Sequence, residues 1–214
     1  IGAAIAFAKS NPLNKVLIGS NHPRFGIVTS GVAAFGVLEA LHSLGIDQAL
    51  AADLGITVLK IGVPHPIEEG VIQDFCSGLE EVLVVEEKRR ILELAVKDVL
   101  YAVSEKDRPR VSGRRDEHGR RLLSEVGKLG PDEIARAIAH CIRPFHHSPA
   151  IQHRFDFLEA KDDERTKRRS LSVVRTPFFC SGCPHNTSTR VPDGSRAHGG
   201  VGCHYMATNM ARGN

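Results

Sequence analysis

The strongest constraint on this chain is an alternation of short β-rich runs with helical segments between residues 26 and 101. The runs are "GIVTSG" (Gly26 to Gly31), "GITVLKIG" (Gly55 to Gly62) and "EVLVVEE" (Glu81 to Glu87). Each is short, rich in β-branched residues and bounded by glycine or charge, which is how a buried strand reads. A helical pattern follows each one. "VAAFGVLEALHSLG" puts Phe35, Leu38, Leu41 and Leu44 at helical spacing, and "IEEGVIQDFCSGLEE" does the same for Val71, Phe75 and Leu79. "KRRILELAVKDVLYAV" carries Leu92, Ala95, Val96 and Val99 on one stripe. Strands alternating with helices require crossover connections, so the predicted class is α/β, a parallel sheet flanked by helices. "LGPDEIARAIAHCIR" adds a helix, with Pro131 in its first turn and Asp132 and Glu133 beside the positive end of its dipole. "RPRVSGRRDEHG" reads as a weaker strand and turn, and "AAIAFAKSN" as a helix end broken at Asn11-Pro12.

Composition excludes some partners. Lys+Arg 28 against Asp+Glu 25 leaves a net charge of +3, with acids scattered among the bases. That is too little for a nucleic-acid or membrane surface. No apolar run approaches the roughly 18 residues that span a bilayer. Three of the five cysteines are clustered, which suits a reducing compartment with metal or redox chemistry and predicts a cytoplasmic protein. The polar stretch "HHSPAIQHRFDFLEAKDDERTKRRS" reads as a solvated helix or linker. A basic docking segment at Lys167, Arg168 and Arg169 is disfavoured by the neighbouring Asp162, Asp163 and Glu164.

The chemistry concentrates in "FFCSGCPHNTSTRVPDGSRAHGGVGCHYM", Phe178 to Met206. Cys180 and Cys183 form a C-x-x-C, and Cys203 sits inside "GGVGCHY". A thioredoxin-like dithiol should open a helix after a strand, whereas Pro184 and a glycine-rich stretch follow here. Three thiolates can converge on one centre if the loop folds back, and Gly199, Gly200 and Gly202 permit a tight backbone. Zinc needs four ligands, which His185 or His204 could complete. An iron–sulfur cluster normally takes four cysteines, and this segment offers three. Cys76 and Cys141 fall in predicted helices and read as small buried apolar residues. The spacing points to a metal and leaves zinc and iron–sulfur open.

"RTPFFCSGCPHNTSTRVPDGSRAHGGVGCHYMA" closely resembles the thiamine-diphosphate-binding region of indolepyruvate ferredoxin oxidoreductases, in the long fused form of the 2-oxoacid:ferredoxin oxidoreductase family. Upstream, "GIVTSGVAAFGVLEALHSLGID", "AADLGITVLKIGVPHPIE" and "GLEEVLVVEEKRRILE" resemble the domain that precedes it, which is similar to the C-terminal domain of transketolase. The resemblance runs from about Phe25 to Met206. It implies oxidative decarboxylation of aryl 2-oxo acids such as indolepyruvate, with thiamine diphosphate and Mg²⁺, coenzyme A as acyl acceptor, and iron–sulfur clusters passing electrons to ferredoxin. It makes Cys180, Cys183 and Cys203 ligands of a 4Fe-4S cluster whose fourth cysteine lies elsewhere. It places Gly202, Cys203 and His204 near thiamine diphosphate and assigns no catalytic residue within this chain. "VGC" stands where relatives have "IGC", and "CSGC" where many have "CPGC".

The expected organisation is a tail or linker at 1–22, a transketolase-C-like α/β domain at 23–145, a charged helical linker at 146–175, and an incomplete thiamine-diphosphate domain at 176–214 that is mostly irregular. On this reading the chain is a fragment, inactive alone and part of a homo-oligomer. The rival expectation is a non-catalytic α/β assembly module with a structural zinc. Glu86 and Glu87, His65, and "TSG" (Thr29 to Gly31) lie at strand ends where α/β sites gather. Each reads first as structure: a polar strand end, a turn histidine and a glycine turn. His146, His147 and His153 lie in a polar linker and suggest adventitious metal binding at most.

Overall fold

β2 (Phe25–Ser30) lies at the centre of a five-stranded sheet, with β3 (Ile56–Ile61) on one side and β4 (Glu81–Val85) on the other. β1 (Lys15–Ile18) borders β3 and β5 (Arg110–Ser112) borders β4, giving the order β1-β3-β2-β4-β5. This computed structural model describes residues 1–167 and 175–210. Arg168 and Arg169 of the basic stretch lie outside the described residues. Two compact units emerge, Ile1–Asp163 and Glu164–Asn214.

In the first unit β2 runs parallel to β3 and β4, and β4 parallel to β5. The α/β class with its parallel, helix-flanked sheet is as expected, with one difference: β1 pairs antiparallel with β3. It lies in the stretch expected to be a tail or linker. Val16, Leu17 and Ile18 are apolar, but a run of three is too short to announce a strand. The edge is fastened by a side chain, since Thr57 Oγ1 donates to the Ile18 carbonyl at 2.9 Å.

Side chains of successive strand residues point to opposite faces, and the central strands show this cleanly. Ile27, Val58 and Leu83 belong to one apolar core, and their neighbours Val28, Leu59 and Val84 to the other. α2 (Ala33–Ser43), α3 (Gln48–Asp53), α6 (Pro131–Ile142) and the first part of α7 (Pro149–Lys167) supply the first core. α4 (Glu69–Cys76) and α5 (Leu92–Tyr101) supply the second. α1 (Gly2–Ser10) precedes the sheet. The connection leaving β2 leads to one side of it and the connection leaving β3 to the other. The strand order therefore switches between β2 and β4, which puts their carboxyl ends at the position favoured for ligands in open α/β sheets.

One helix turns partly away from the face expected. α2 buries Ala33, Ala34, Val37, Ala40 and Leu41, with Leu44 just beyond it, and leaves Phe35 67% exposed. Its solvent side carries Glu39 and His42 beside Phe35 and Leu38, so two polar residues mark the exposed face. Packing agrees: a Cβ added to Gly36 would lie 2.8 Å from Ile134 Cδ1, so α6 approaches where α2 has no side chain. α4 keeps the expected face: Val71 and Phe75 pack half-buried on the second core beside the buried Ile72 and Cys76, with Leu79 buried just beyond the helix. Among the described residues no helix is long and apolar enough to cross a membrane.

Candidate functional site

The second unit is largely irregular, as expected, and holds the three clustered thiols. Cys180 and Cys183 occupy one turn, closed by the Cys183 N–H donating to the Cys180 carbonyl at 3.0 Å. Gly182 takes φ +74 in this turn, a conformation open to glycine and costly for other residues. Pro184 then starts α8 (His185–Ser188), a single helical turn. Asn186 ties it back, donating from Nδ2 to the Cys180 carbonyl at 3.1 Å and from its N–H to the Cys183 carbonyl at 3.0 Å. Cys180 is exposed and Cys183 partly buried.

Cys203 begins a 3₁₀ segment, Cys203–Asn209. The preceding Gly202 has φ 151 and ψ 178, and a Cβ there would meet the His204 ring at 3.0 Å. Glycine is required on both counts. The Gly200 N–H donates to His204 Nε2 at 3.0 Å, which leaves a neutral His204 protonated at Nδ1. Cys203 is exposed.

Three rings join the two turns. Phe179 stacks on His185 with centroids 5.3 Å apart, and His185 stacks on His204 at 6.1 Å. His185 Nδ1 lies 3.2 Å from Cys183 Sγ. Beside the stack is a cavity of about 320 Å³ lined by His185, Thr189, His198, Gly199 and His204. Among the described residues no three His, Cys, Asp or Glu side chains gather closely enough to hold a metal ion. The structure thus puts Cys180 and Cys183 in one turn and ties the Cys203 turn to it through rings, not through a common centre. Three accessible or half-accessible thiols lie in one unit without converging on one point. At His204 Nε2 a backbone N–H already uses the lone pair that a zinc ion would need.

The remaining cysteines are structural. Burial pushes the Cys76 thiol up to about 12. Burial, aided by the nearby Glu81 carboxylate, pushes Cys141 well above its ordinary range. Glu86, at the switch between β2 and β4, is turned to structural use. Its carboxylate accepts the N–H groups of Ile91, Leu92 and Glu93 at 3.1, 2.8 and 2.8 Å and caps α5. Glu87 is half-buried and His65 exposed in the turn after β3. Thr29 is buried, and Gly31 takes φ +56 ahead of α2.

One grouping in the first unit escapes sequence reading. A cavity of about 440 Å³ is lined by Glu81, Arg110, Asp116, Arg120, His140 and Cys141, among others. Burial would push the Asp116 carboxyl up, but hydrogen bonds from the Arg120 and His118 N–H groups and the Arg120 guanidinium hold it below the ordinary carboxylate range. Glu81 is likewise paired with Arg110 and Ser112. These charges neutralise one another within the fold. Only the dense sequence "RRDEHGRR" hints at them, and such a run reads equally as a solvated turn.

Residues 15–164 match the family described as the indolepyruvate oxidoreductase domain. Among curated relatives, the indolepyruvate oxidoreductase subunit IorA of Methanothermobacter marburgensis is 34% identical over 179 residues, 83% of this chain and 24% of that one. The protein of the same name from Pyrococcus horikoshii is 28% identical over 170 residues, 79% of this chain and 23% of that one. This chain therefore spans less than two thirds of the length of the relatives it matches. A solved split-gene transketolase, described as an inactive beta4 tetramer, aligns with TM-score 0.41 and 19% identity over 61% of this chain and 41% of that one.

Proposed function

Since this chain belongs to the indolepyruvate oxidoreductase family, we propose that it forms part of a cytoplasmic enzyme that oxidatively decarboxylates aryl 2-oxo acids such as indolepyruvate. The match of residues 15–164 to the family carries this reading. The relatives are named as subunits, which favours a role within a larger assembly, including further copies of this chain. In this reading the first unit is a packing scaffold. The second contributes Cys180, Cys183 and Cys203 to a 4Fe-4S cluster and Gly202, Cys203 and His204 to the surroundings of thiamine diphosphate.

When bound, thiamine diphosphate with Mg²⁺ supplies the decarboxylation chemistry, and the cluster supplies a route for electrons to ferredoxin as coenzyme A takes the acyl group. The residues of this chain hold and orient. Gly202 lets the backbone turn where a side chain would strike His204. His204 is fixed by the Gly200 N–H, and the C-x-x-C turn presents two thiols from one short loop. This chain by itself is expected to be inactive.

Anaerobic purification of the whole enzyme tests the reading. Iron and acid-labile sulfide in cubane proportion, with indolepyruvate-dependent reduction of ferredoxin, are expected. Cys183→Ala should lose one cluster's iron and electron paramagnetic resonance signal. Zinc in place of iron, or a full complement of clusters in Cys183→Ala, would refute the ligand assignment.

A further inference from the structure

The residues leading into β4 and β5 and the last turns of α4 and α5 border a cavity of about 740 Å³, lined by Leu79, Leu100, Val103, Lys106, Asp107 and Arg108, among others. Its volume is that of a small-molecule site. Leu79 and Leu100 are buried and Val103 packs on the second core, so the floor is apolar. Lys106 and Asp107 are exposed and Arg108 half-buried, so the rim is charged. Those charges are not spent within the fold. Glu80, beside them, is paired with Arg24 at 2.8 Å, but Lys106, Asp107 and Arg108 have no ion-pair partner among the described residues. Arg108 Nε is buried without a hydrogen-bond partner, and the guanidinium lies 5.6 Å from the centre of the Tyr101 ring. We propose that this cavity binds a free α-amino acid with a large apolar side chain, its carboxylate on Arg108, its ammonium group on Asp107 and its side chain on the apolar floor.

The two signs of charge decide the ligand class. The Arg108 Nε–H belongs to the edge of the guanidinium that takes both oxygens of one carboxylate, and Lys106 adds a second cation. Asp107 supplies a carboxylate for an ammonium group. α4 and α5 both end at this cavity, and the negative ends of their dipoles favour a cation as well. A plain carboxylic acid would set its charge against Asp107 and two helix ends. A plain amine would meet Lys106 and Arg108. A zwitterion answers both, and its side chain is left for Leu79, Leu100 and Val103, where burial of apolar surface supplies most of the affinity. Arg108 is already held over Tyr101, so it loses little freedom on binding. The site is independent of the clustered thiols and of the family's reaction.

Isothermal titration of this chain with L-tryptophan and L-leucine tests the site. Glycine, tryptamine and indolepropionate serve as probes that lack the apolar side chain, the carboxylate and the ammonium group in turn. Both apolar amino acids should bind saturably at millimolar concentrations, and each probe at least about tenfold more weakly. Arg108→Gln should weaken L-tryptophan binding by about tenfold, the loss of one charge-assisted pair. Asp107→Asn should weaken L-tryptophan yet strengthen indolepropionate, a reversal that loss of folding cannot produce. The proposal is overturned if neither amino acid binds saturably, if indolepropionate binds the unaltered chain as tightly as L-tryptophan, or if R108Q and D107N leave the affinity for L-tryptophan unchanged.

Discussion

Glu86 shows how a side chain can stand at a favoured ligand position and be committed elsewhere. It is buried where the carboxyl ends of β2 and β4 meet, yet its oxygens serve the first turn of α5. Removing it leaves up to three N–H groups without their partner in an interior position. Glu86→Ala should therefore destabilise the first unit by about 2 kcal/mol, within the range for losing a helix cap. Urea denaturation of this chain, followed by circular dichroism, would measure it. A loss no larger than that of an exposed alanine substitution would mean water replaces the carboxylate. The residue scale is also where sequence reading reached least far. The C-x-x-C and the glycine-rich turn are visible as spacing. The stack of Phe179, His185 and His204 is not, because a ring's partners depend on backbone turns that no local pattern encodes.

Among the elements, α6 is the best signalled and the most deeply engaged. Pro131 sits in its first turn, Asp132 and Glu133 follow, and Ile134, Ala135, Ile138, Cys141 and Ile142 form its buried stripe. Ile138 is fully buried, so Ile138→Ala should cost about 3 kcal/mol, combining lost transfer energy with the cavity left behind. The midpoint of thermal or urea unfolding checks this value. The strands were legible because the central three are covered on both faces and read as apolar runs. α4 was legible in phase, with Val71, Phe75 and Leu79 on the core, and α2 only in part: Leu41 and Leu44 turn inward, while Phe35 and Leu38 share the exposed side with Glu39 and His42. β1 was illegible because its apolar run, Val16 to Ile18, is only three residues long.

For the whole molecule, both cores are built from residues of the first unit, ending with Ile151 and Leu158 of α7. A chain ending at Lys167 should keep the sheet and unfold in one cooperative transition. A broad, gradual loss of the circular dichroism signal would show that the second unit is needed for the fold. The α/β class was readable from periodicity, while the pairing of edge strands was not, since it depends on contacts distant in sequence. The shape of the β1 border has a further consequence. A sheet ends in unpaired amide and carbonyl groups that invite foreign strands to join. Here that border is four residues long, begins with a lysine, and slips out of register between Val16 and Ile18. An intruding strand would find too short and too uneven a template to zip onto, so the sheet carries its own guard against runaway fibre growth.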